Sequence, residues 1–157
     1  MKLLFVCTGN ICRSPAADGV MRKLVERAGL EGRVLVDSAG VSAYHAGEAP
    51  DSRTQQSARK RGYDLSDLQA RAVVKRDFQE FDLILAMDVE HETALLAACP
   101  PDLRQRVRRF LDFAPEAGRQ GVPDPYYGGP QGFEDVLDMI EAGCRGLLAH
   151  VQSHLER

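Results

Sequence analysis

Near its amino end the chain reads Val6-Cys7-Thr8-Gly9-Asn10-Ile11-Cys12-Arg13-Ser14-Pro15, between a short apolar run and a helical pattern. The apolar run, residues 2–6, has the length of a buried strand in a parallel sheet. Gly9 and Asn10 readily accept a left-handed backbone, which allows the next turn to curl until its N–H groups point at a common centre. These features predict a strand, an anion-binding loop and a helix over residues 16–28.

Side chains of this phosphate loop, residues 7–14, supply both a nucleophile and an anion ligand. Cys7 carries a thiol whose reactive form is the thiolate, and a helix N-terminus together with a guanidinium stabilises that negative charge. Arg13 presents a planar fork of donors that matches two oxygens of a tetrahedral anion. Ser14 is expected to cap the following helix, and Pro15 fits its first turn. The loop is therefore predicted to bind phosphate and attack it through sulfur.

The rest of the chain alternates strand-like and helix-like segments. Strands are predicted at residues 34–40, 81–87 and 107–110, and helices at residues 51–61 and 89–99 and from Phe133 onward. Strands separated by helices imply right-handed β-α-β units. We therefore predict a single-domain, three-layer α/β fold, in which a small four-stranded parallel sheet has helices on both faces and the phosphate loop follows the first strand.

The carboxyl ends of parallel strands form one rim, where ligands bind. Cys7, Ser38 and Asp88 are predicted to lie on this rim, and Asp88 is interpreted as the cap of the helix that follows it. His45 is placed near the same rim. The remaining histidines are interpreted as surface or helix-end residues, namely His91, His150 and His154.

Length and composition favour one domain in a reducing compartment. The 157 residues suit a single compact domain over residues 1–157. With 20 basic and 23 acidic residues and no basic run interleaved with aromatics, nucleic acid is not expected as a partner. No apolar run approaches a membrane span, and polar residues interrupt the first apolar stretch too early for a signal peptide, so a cytoplasmic protein is expected. The four cysteines have the spacing of neither a disulfide scaffold nor a zinc site: Cys7, Cys12, Cys99 and Cys144.

A second segment with chemistry lies late in the chain, where residues 121–130 have the composition of a loop. Pro123 and Pro125 flank Asp124 and restrict its backbone. A stiffened, projecting carboxyl is suited to donate a proton to a leaving alkoxide or phenoxide. Tyr126 and Tyr127 follow it and are expected to line a slot for an aromatic leaving group.

The two segments together resemble the low-molecular-weight protein tyrosine phosphatases, through residues 6–15 and through Asp124-Pro125-Tyr126-Tyr127. The similarity extends over nearly the whole chain, because residues 37–40, 45–53 and 81–88 also fall in the family's order. The resemblance implies a cysteine-dependent hydrolase of phosphotyrosine that needs no metal and no organic cofactor.

The resemblance also implies the role of each site residue. Cys7 attacks phosphorus and forms a phosphocysteine, while Asp124 protonates the leaving phenol and then activates water. The equatorial oxygens bind Arg13 and the loop amides, which belong to Thr8, Gly9, Asn10, Ile11, Cys12, Arg13 and Ser14. In addition, Asn10 fixes the shape of the loop and Ser14 donates a hydrogen bond to the thiolate.

Further implications of the resemblance concern the surroundings of this site. Cys12 matches a second loop cysteine that forms a protective disulfide with the nucleophile under oxidation. Tyr44 joins Tyr126 and Tyr127 around the substrate ring. The implied partners are a tyrosine kinase and proteins that bear phosphotyrosine. A monomer is favoured over an oligomer.

Three alternatives to a tyrosine phosphatase are left open. Protein arginine phosphatases of the same family typically carry Thr at the position of Ile11 and lack the tandem tyrosines. Thioredoxin-coupled arsenate reductases need a pair of resolving cysteines, whereas Cys99 and Cys144 are far apart in this sequence. A non-catalytic phosphotyrosine or anion-binding module would keep Arg13 but has no use for Cys7 as a nucleophile.

Overall fold

Four parallel strands form the central sheet of the computed structural model, which describes residues 1–126 and 128–156. In chain order they are β1 (Lys2–Cys7), β2 (Leu35–Gly40), β3 (Leu83–Ala86) and β4 (Val107–Arg109). Their order across the sheet is β2-β1-β3-β4, with parallel pairing throughout. The predicted four-stranded parallel sheet is confirmed, and the strand ends differ from the prediction by no more than two residues.

The described residues form five α-helices, namely α1 (Arg13–Arg27), α2 (Ser52–Lys60), α3 (Asp77–Glu80), α4 (Val89–Ala98) and α5 (Pro130–Leu155). Three short 3-10 helices lie between α4 and α5, at Pro101–Arg106, Phe110–Phe113 and Pro115–Ala117. The sequence pattern predicted α2, α4 and most of α5 but not the one-turn helix α3. Within residues 1–126 and 128–156, none of the helices combines the length and the apolar character needed to cross a membrane.

Side chains of β1 alternate between two hydrophobic clusters. Leu3 and Phe5 pack against α1 and α5, whose buried residues belong to the same cluster. Leu4 and Val6 point the other way and join a second cluster that includes Leu95 of α4. Because all five residues are at most 2% exposed, both faces of the sheet are covered and the predicted three layers are confirmed.

Carboxylates fix two helix starts near the carboxyl ends of the strands. Asp51 accepts hydrogen bonds from the backbone N–H groups of Arg53 and Thr54 ahead of α2. Asp88 Oδ1 accepts one from Val89 N at 2.7 Å, so its predicted role as the cap of α4 is confirmed. Since α4 begins directly after β3, its first turn lies at the same edge of the sheet as the phosphate loop.

The predicted start of the first helix is wrong. Helix α1 begins at Arg13 rather than at residue 16, and its N-cap residue, Cys12, makes no side-chain capping hydrogen bond. Ser14 therefore lies inside the first turn and does not cap it. The left-handed backbone of Asn10 turns the chain within few residues, so the helix starts early and the Ser14 hydroxyl points inward.

The predicted position of Ser38 on the rim is also wrong. Strand β2 continues two residues beyond Ser38, as far as Gly40, which pairs with Cys7 at the end of β1. A side chain at position 40 would collide with the phosphate loop, because the carbonyl oxygen of Thr8 lies 2.7 Å from where a Cβ would stand. Ser38 is thus buried beneath the loop rather than exposed at its mouth.

Candidate active site

The side chain of Asn10 holds the phosphate loop in shape. Its φ of 59° is the only positive value at a non-glycine position in the part of the chain that the structure describes. Its Oδ1 accepts a hydrogen bond from Arg71 N at 3.0 Å, and its Nδ2 donates to Ser14 Oγ at 2.8 Å and to Ser38 Oγ at 3.0 Å. Because this side chain is buried, the three bonds stabilise a backbone conformation that is unfavourable for most residues.

The Cys7 sulfur lies at the base of the loop, where β1 ends. The residue is 2% exposed, and its Sγ lies 3.0 Å from Ser14 Oγ. Since Ser14 Oγ already accepts a hydrogen bond from Asn10, its own hydrogen is available to the sulfur, with the more distant Ala39 O at 3.4 Å as the other acceptor. The N-terminus of α1 adds the positive end of a helix dipole. Both features stabilise negative charge on the sulfur.

The guanidinium of Arg13 forms the other side of the base. The residue is 2% exposed, and its Nη1 donates to Val122 O at 3.0 Å while its Nη2 donates to Thr8 Oγ1 at 3.3 Å. Nη2 also lies 3.7 Å from Asp124 Oδ2. These contacts fix the plane of the guanidinium before any anion binds, which reduces the entropy that binding would cost.

The acid loop, residues 121–126, brings Asp124 opposite this arginine. Val122 N donates to Met87 O at 2.7 Å and ties the loop to the end of β3. Asp124 Oδ1 accepts a hydrogen bond from Tyr126 N at 3.0 Å, and its side chain is 44% exposed. The loop is therefore anchored at Val122, while the carboxyl projects from it into solvent.

One cavity of about 450 Å³ brings these groups together. Its walls are formed by the phosphate loop, the acid loop and a segment after β2, namely by Cys7, Thr8, Gly9, Ile11, Cys12, Arg13, Ser42, Tyr44, His45, Asp124 and Tyr126. Asn10 and Ser14 lie beneath it and are buried. Tyr127, which the sequence also suggested for the pocket, lies outside the described residues.

Two tyrosines stand at the mouth of the cavity. Tyr44 is 85% exposed, and its ring meets that of His45 edge-on at 4.8 Å between centroids. Tyr126 is 37% exposed, and the Arg53 guanidinium lies 5.1 Å from its ring centroid. The entrance is thus lined by two aromatic rings that are at least partly exposed.

Of the two places predicted for His91, the helix end is confirmed, because it lies in the first turn of α4, and the surface is wrong. It is 1% exposed, and its Nε2 lies 2.8 Å from Thr8 Oγ1 of the phosphate loop. Burial, aided by the positive charge of Arg13, lowers the pKa of His91 to about 4, so the ring is neutral near pH 7. The sequence did contain a signal for this location. His91 lies three residues after Asp88, the cap of a helix that starts at the rim of the sheet, so a position near the phosphate loop could have been predicted.

The other cysteines differ from Cys7 in their surroundings. Burial raises the pKa of Cys12 to about 12, although the sulfur interacts with Thr54. Burial also raises the pKa of Cys99 and of Cys144, and the latter lies in the core. All four cysteines are free thiols, and within residues 1–126 and 128–156 no three potential metal ligands cluster.

A parallel α/β sheet that presents a thiol and a guanidinium in one anion-binding loop defines a class, the cysteine-dependent phosphatases. Residues 2–157 match the model of one family within it, described as low molecular weight phosphotyrosine protein phosphatase, and the chain belongs to that family.

Individual relatives agree with this assignment. A low molecular weight protein-tyrosine-phosphatase of Streptomyces coelicolor is 45% identical, over 99% of this chain and 96% of the relative. The crystal structure of a protein tyrosine phosphatase from Entamoeba histolytica superimposes with a TM-score of 0.95 at 44% identity, covering 98% of each chain. A Drosophila arginine phosphatase structure is also similar, with a TM-score of 0.88 at 31% identity, covering 96% of this chain and 98% of the other.

Proposed function

We propose that this protein hydrolyses phosphotyrosine in proteins, and small aryl phosphates, through a phosphocysteine at Cys7. The observation that carries the proposal is that a buried thiol, a buried guanidinium and an exposed carboxyl line a single cavity. Family membership supports the same activity. A binding module would have no need of the thiol or the carboxyl.

In the first step, the phosphoryl group lies in the phosphate loop and the Cys7 thiolate attacks phosphorus. The bond from phosphorus to the phenol oxygen breaks as the bond from phosphorus to sulfur forms, and Asp124 gives its proton to the departing oxygen. Arg13 holds two of the phosphoryl oxygens and balances their charge. The products are a phosphocysteine and a neutral phenol.

In the second step, the Asp124 carboxylate takes a proton from a water molecule that attacks the phosphocysteine. The bond from phosphorus to sulfur breaks, inorganic phosphate leaves, and the Cys7 thiolate is restored. The hydrogen bond from Ser14 stabilises this leaving thiolate. Each group thus returns to its starting protonation state.

The amides of the phosphate loop are proposed to bind the remaining phosphoryl oxygens. They belong to Thr8, Gly9, Asn10, Ile11, Cys12, Arg13 and Ser14. The hydrogen bonds of the Asn10 side chain support this role, because they hold the backbone of the loop in its curled conformation. Tyr44, Tyr126 and Tyr127 are proposed to surround the aromatic ring of the substrate.

Phosphoarginine is the competing substrate, since the Drosophila arginine phosphatase shares the fold. The cavity favours an aromatic ester, because Ile11 offers an apolar wall and no acceptor for a guanidinium. The test compares kcat/KM for two peptides of one sequence that carry phosphotyrosine or phosphoarginine. We expect a clear preference for phosphotyrosine, and a preference for phosphoarginine would overturn the assignment.

Acid quench during turnover tests the mechanism itself. Intact-protein mass spectrometry should find one phosphoryl group on the enzyme, mapped to Cys7, and none on the Cys7→Ser variant. An adduct on another residue would contradict the proposed nucleophile.

The proposal extends to regulation and cellular context. Cys12 is expected to form a disulfide with Cys7 on mild oxidation, and loss of reversible peroxide inactivation in Cys12→Ser would support this. We further propose that residues 1–157 form one phosphatase domain, a cytoplasmic monomer that opposes a tyrosine kinase. Analytical ultracentrifugation tests the monomer.

A further inference from the structure

Three parts of the molecule meet at the hydroxyl of Thr8. His91, on the first turn of α4, approaches from behind the phosphate loop and places Nε2 2.8 Å from Thr8 Oγ1. On another side, Arg13 Nη2 of helix α1 donates a hydrogen bond to the same oxygen at 3.3 Å. His91 is 1% exposed, so water does not compete freely for this contact.

The charge of His91 follows from its neighbours. Burial and then the positive charge of Arg13 lower its pKa to about 4, while Asp88 and Asp124 act in the opposite direction. Glu90, on the same helix, also faces the ring, with Oε1 3.6 Å from Nε2. The imidazole is therefore neutral over the working range of a phosphatase near pH 7 and carries one N–H.

The hydrogen-bond partners of the two ring nitrogens place that N–H on Nε2. Nδ1 of His91 is buried and has no hydrogen-bond partner among the described residues. An unpaired buried N–H is rarer in proteins than an unpaired buried acceptor, so Nδ1 is the nitrogen without hydrogen. Nε2 then donates to Thr8 Oγ1, which already accepts a hydrogen bond from Arg13.

We propose that His91 is a positioning residue that turns the hydroxyl hydrogen of Thr8 toward the bound phosphoryl group. A hydroxyl that accepts two hydrogen bonds keeps one hydrogen, which points away from both donors. Thr8 lines the cavity together with Cys7 and Arg13, so an oxygen of a phosphoryl group bound at the base of the cavity is an acceptor for this hydrogen. This inference rests on the proposed function, because the phosphoryl group is the ligand that receives the bond.

The same arrangement anchors Arg13. Thr8 Oγ1 accepts from its Nη2, so a hydroxyl fixed by His91 also fixes one end of the guanidinium. The predicted consequence is that His91 acts only through Thr8. Replacing His91 should therefore cause no further loss of phosphate binding in a protein whose Thr8 has already lost its hydroxyl.

The experiment measures the inhibition constant of inorganic phosphate against p-nitrophenyl phosphate hydrolysis. We expect His91→Leu and Thr8→Val each to raise this constant about tenfold, the loss of one hydrogen bond to a charged group. The double variant should be no weaker than Thr8→Val alone. His91→Gln should stay close to wild type, because its amide donates from nearly the same position. Additive effects, or an unchanged constant in His91→Leu, would overturn the proposal.

Nuclear magnetic resonance of the unmodified protein gives a second measurement that no folding defect disturbs. Two-bond correlations between ring nitrogens and carbon-bound hydrogens identify which nitrogen of His91 carries the hydrogen. We expect Nε2–H, and finding Nδ1–H would refute the orientation of Thr8. Thermal unfolding of each variant is recorded first, and His91→Asn replaces His91→Leu if the latter does not fold.

Matched controls use residues away from the site. Thr93→Val removes a hydroxyl on the same helix α4, where it donates to Val89 O, and His154→Leu removes an exposed histidine of α5. Neither should change phosphate inhibition. Calorimetric phosphate binding to the Cys7→Ser protein, with and without His91→Leu, repeats the comparison without turnover. Failure of the wild-type protein to hydrolyse aryl phosphates would contradict the proposed function. The calorimetric comparison would still test whether His91 contributes to phosphate binding.

Discussion

The phosphate loop and the acid loop meet in one cavity but are built differently. Arg13 is 2% exposed and has hydrogen-bond partners in both loops, whereas the side chain of Asp124 is 44% exposed. Asn10 fixes one loop through three side-chain hydrogen bonds, while Val122 anchors the other through its backbone. The proposed phosphoryl-binding side of the cavity is therefore held by buried side chains, and the proposed leaving-group side is more exposed.

This contrast predicts two kinds of loss. Damage to the phosphate loop should reduce turnover of every phosphomonoester alike, because all of them present the same phosphoryl group. Damage to the acid loop should depend on the leaving group, because only a poor leaving group needs a proton.

Cys7→Ser should give the largest effect. We expect kcat for p-nitrophenyl phosphate to fall at least about 10⁴-fold, since a serine hydroxyl without a general base is a poor nucleophile. Phosphate binding should persist, because the loop amides and Arg13 are unchanged. Steady-state assays and calorimetry measure the two quantities, and hydrolysis at the wild-type rate would contradict the mechanism.

Asp124→Asn should separate the two loops most clearly. The amide keeps the size of the side chain but has no proton to give, so kcat/KM for phenyl phosphate, which reports the step that releases the phenol, should fall about 10³-fold. For p-nitrophenyl phosphate, whose leaving group is better, the loss should be much smaller. Equal losses for the two esters would mean that another acid serves.

Arg13→Lys should cost about 10²-fold in kcat/KM, because an ammonium keeps the charge but loses the planar fork. The loss should be the same for phenyl and p-nitrophenyl phosphate, unlike that of Asp124→Asn. A dependence on the leaving group would break the division between the two loops.

The pH dependence of the free energy of unfolding should reveal the buried histidine behind the phosphate loop. The pKa of His91 is lowered to about 4, so the folded state resists protonation and stability is lost as pH falls from about 6.5 to 4. The loss approaches about 3 kcal/mol for a buried group with this shift. His91→Gln should remove this part of the slope in urea unfolding series.

A second buried group acts in the opposite direction over part of this range. Burial raises the pKa of Asp18 to about 6 despite its ion pair with Arg22, so Asp18 favours the folded state more strongly as pH falls toward 4. The difference between wild type and His91→Gln therefore isolates the histidine. Parallel curves for the two proteins would contradict the lowered pKa.

Tyr44→Ala should give the smallest effect. The ring is 85% exposed and its proposed role is to pack against the substrate ring, so KM for a phosphotyrosine peptide should rise about threefold to tenfold, with kcat little changed. Tyr44→Phe, which keeps the ring, is the matched control. A large fall in kcat would mean that Tyr44 touches the reacting group.

Much of the fold was predictable from local patterns. The apolar runs of β1 and β3, the aspartate caps of α2 and α4 and the periodic pattern of α5 are encoded in short windows of sequence. The one-turn helix α3 was missed because four residues carry too little periodicity. The start of α1 was predicted too late because serine is a common helix cap. The residues around Ser14 do not reveal that its hydroxyl has a partner elsewhere in the fold.

The sequence by itself determined that a thiol, a curled loop and a guanidinium stand together after the first strand, because these residues lie within one short segment whose backbone preferences are local. Only the tertiary structure decided what surrounds them. Arg13 donates a hydrogen bond to the carbonyl oxygen of Val122, 109 residues away in the chain. His91 contacts the hydroxyl of Thr8, 83 residues away. Such contacts depend on β1 lying beside β3 in the sheet, and strand neighbours are chosen by the packing of the whole core rather than by any short stretch of chain.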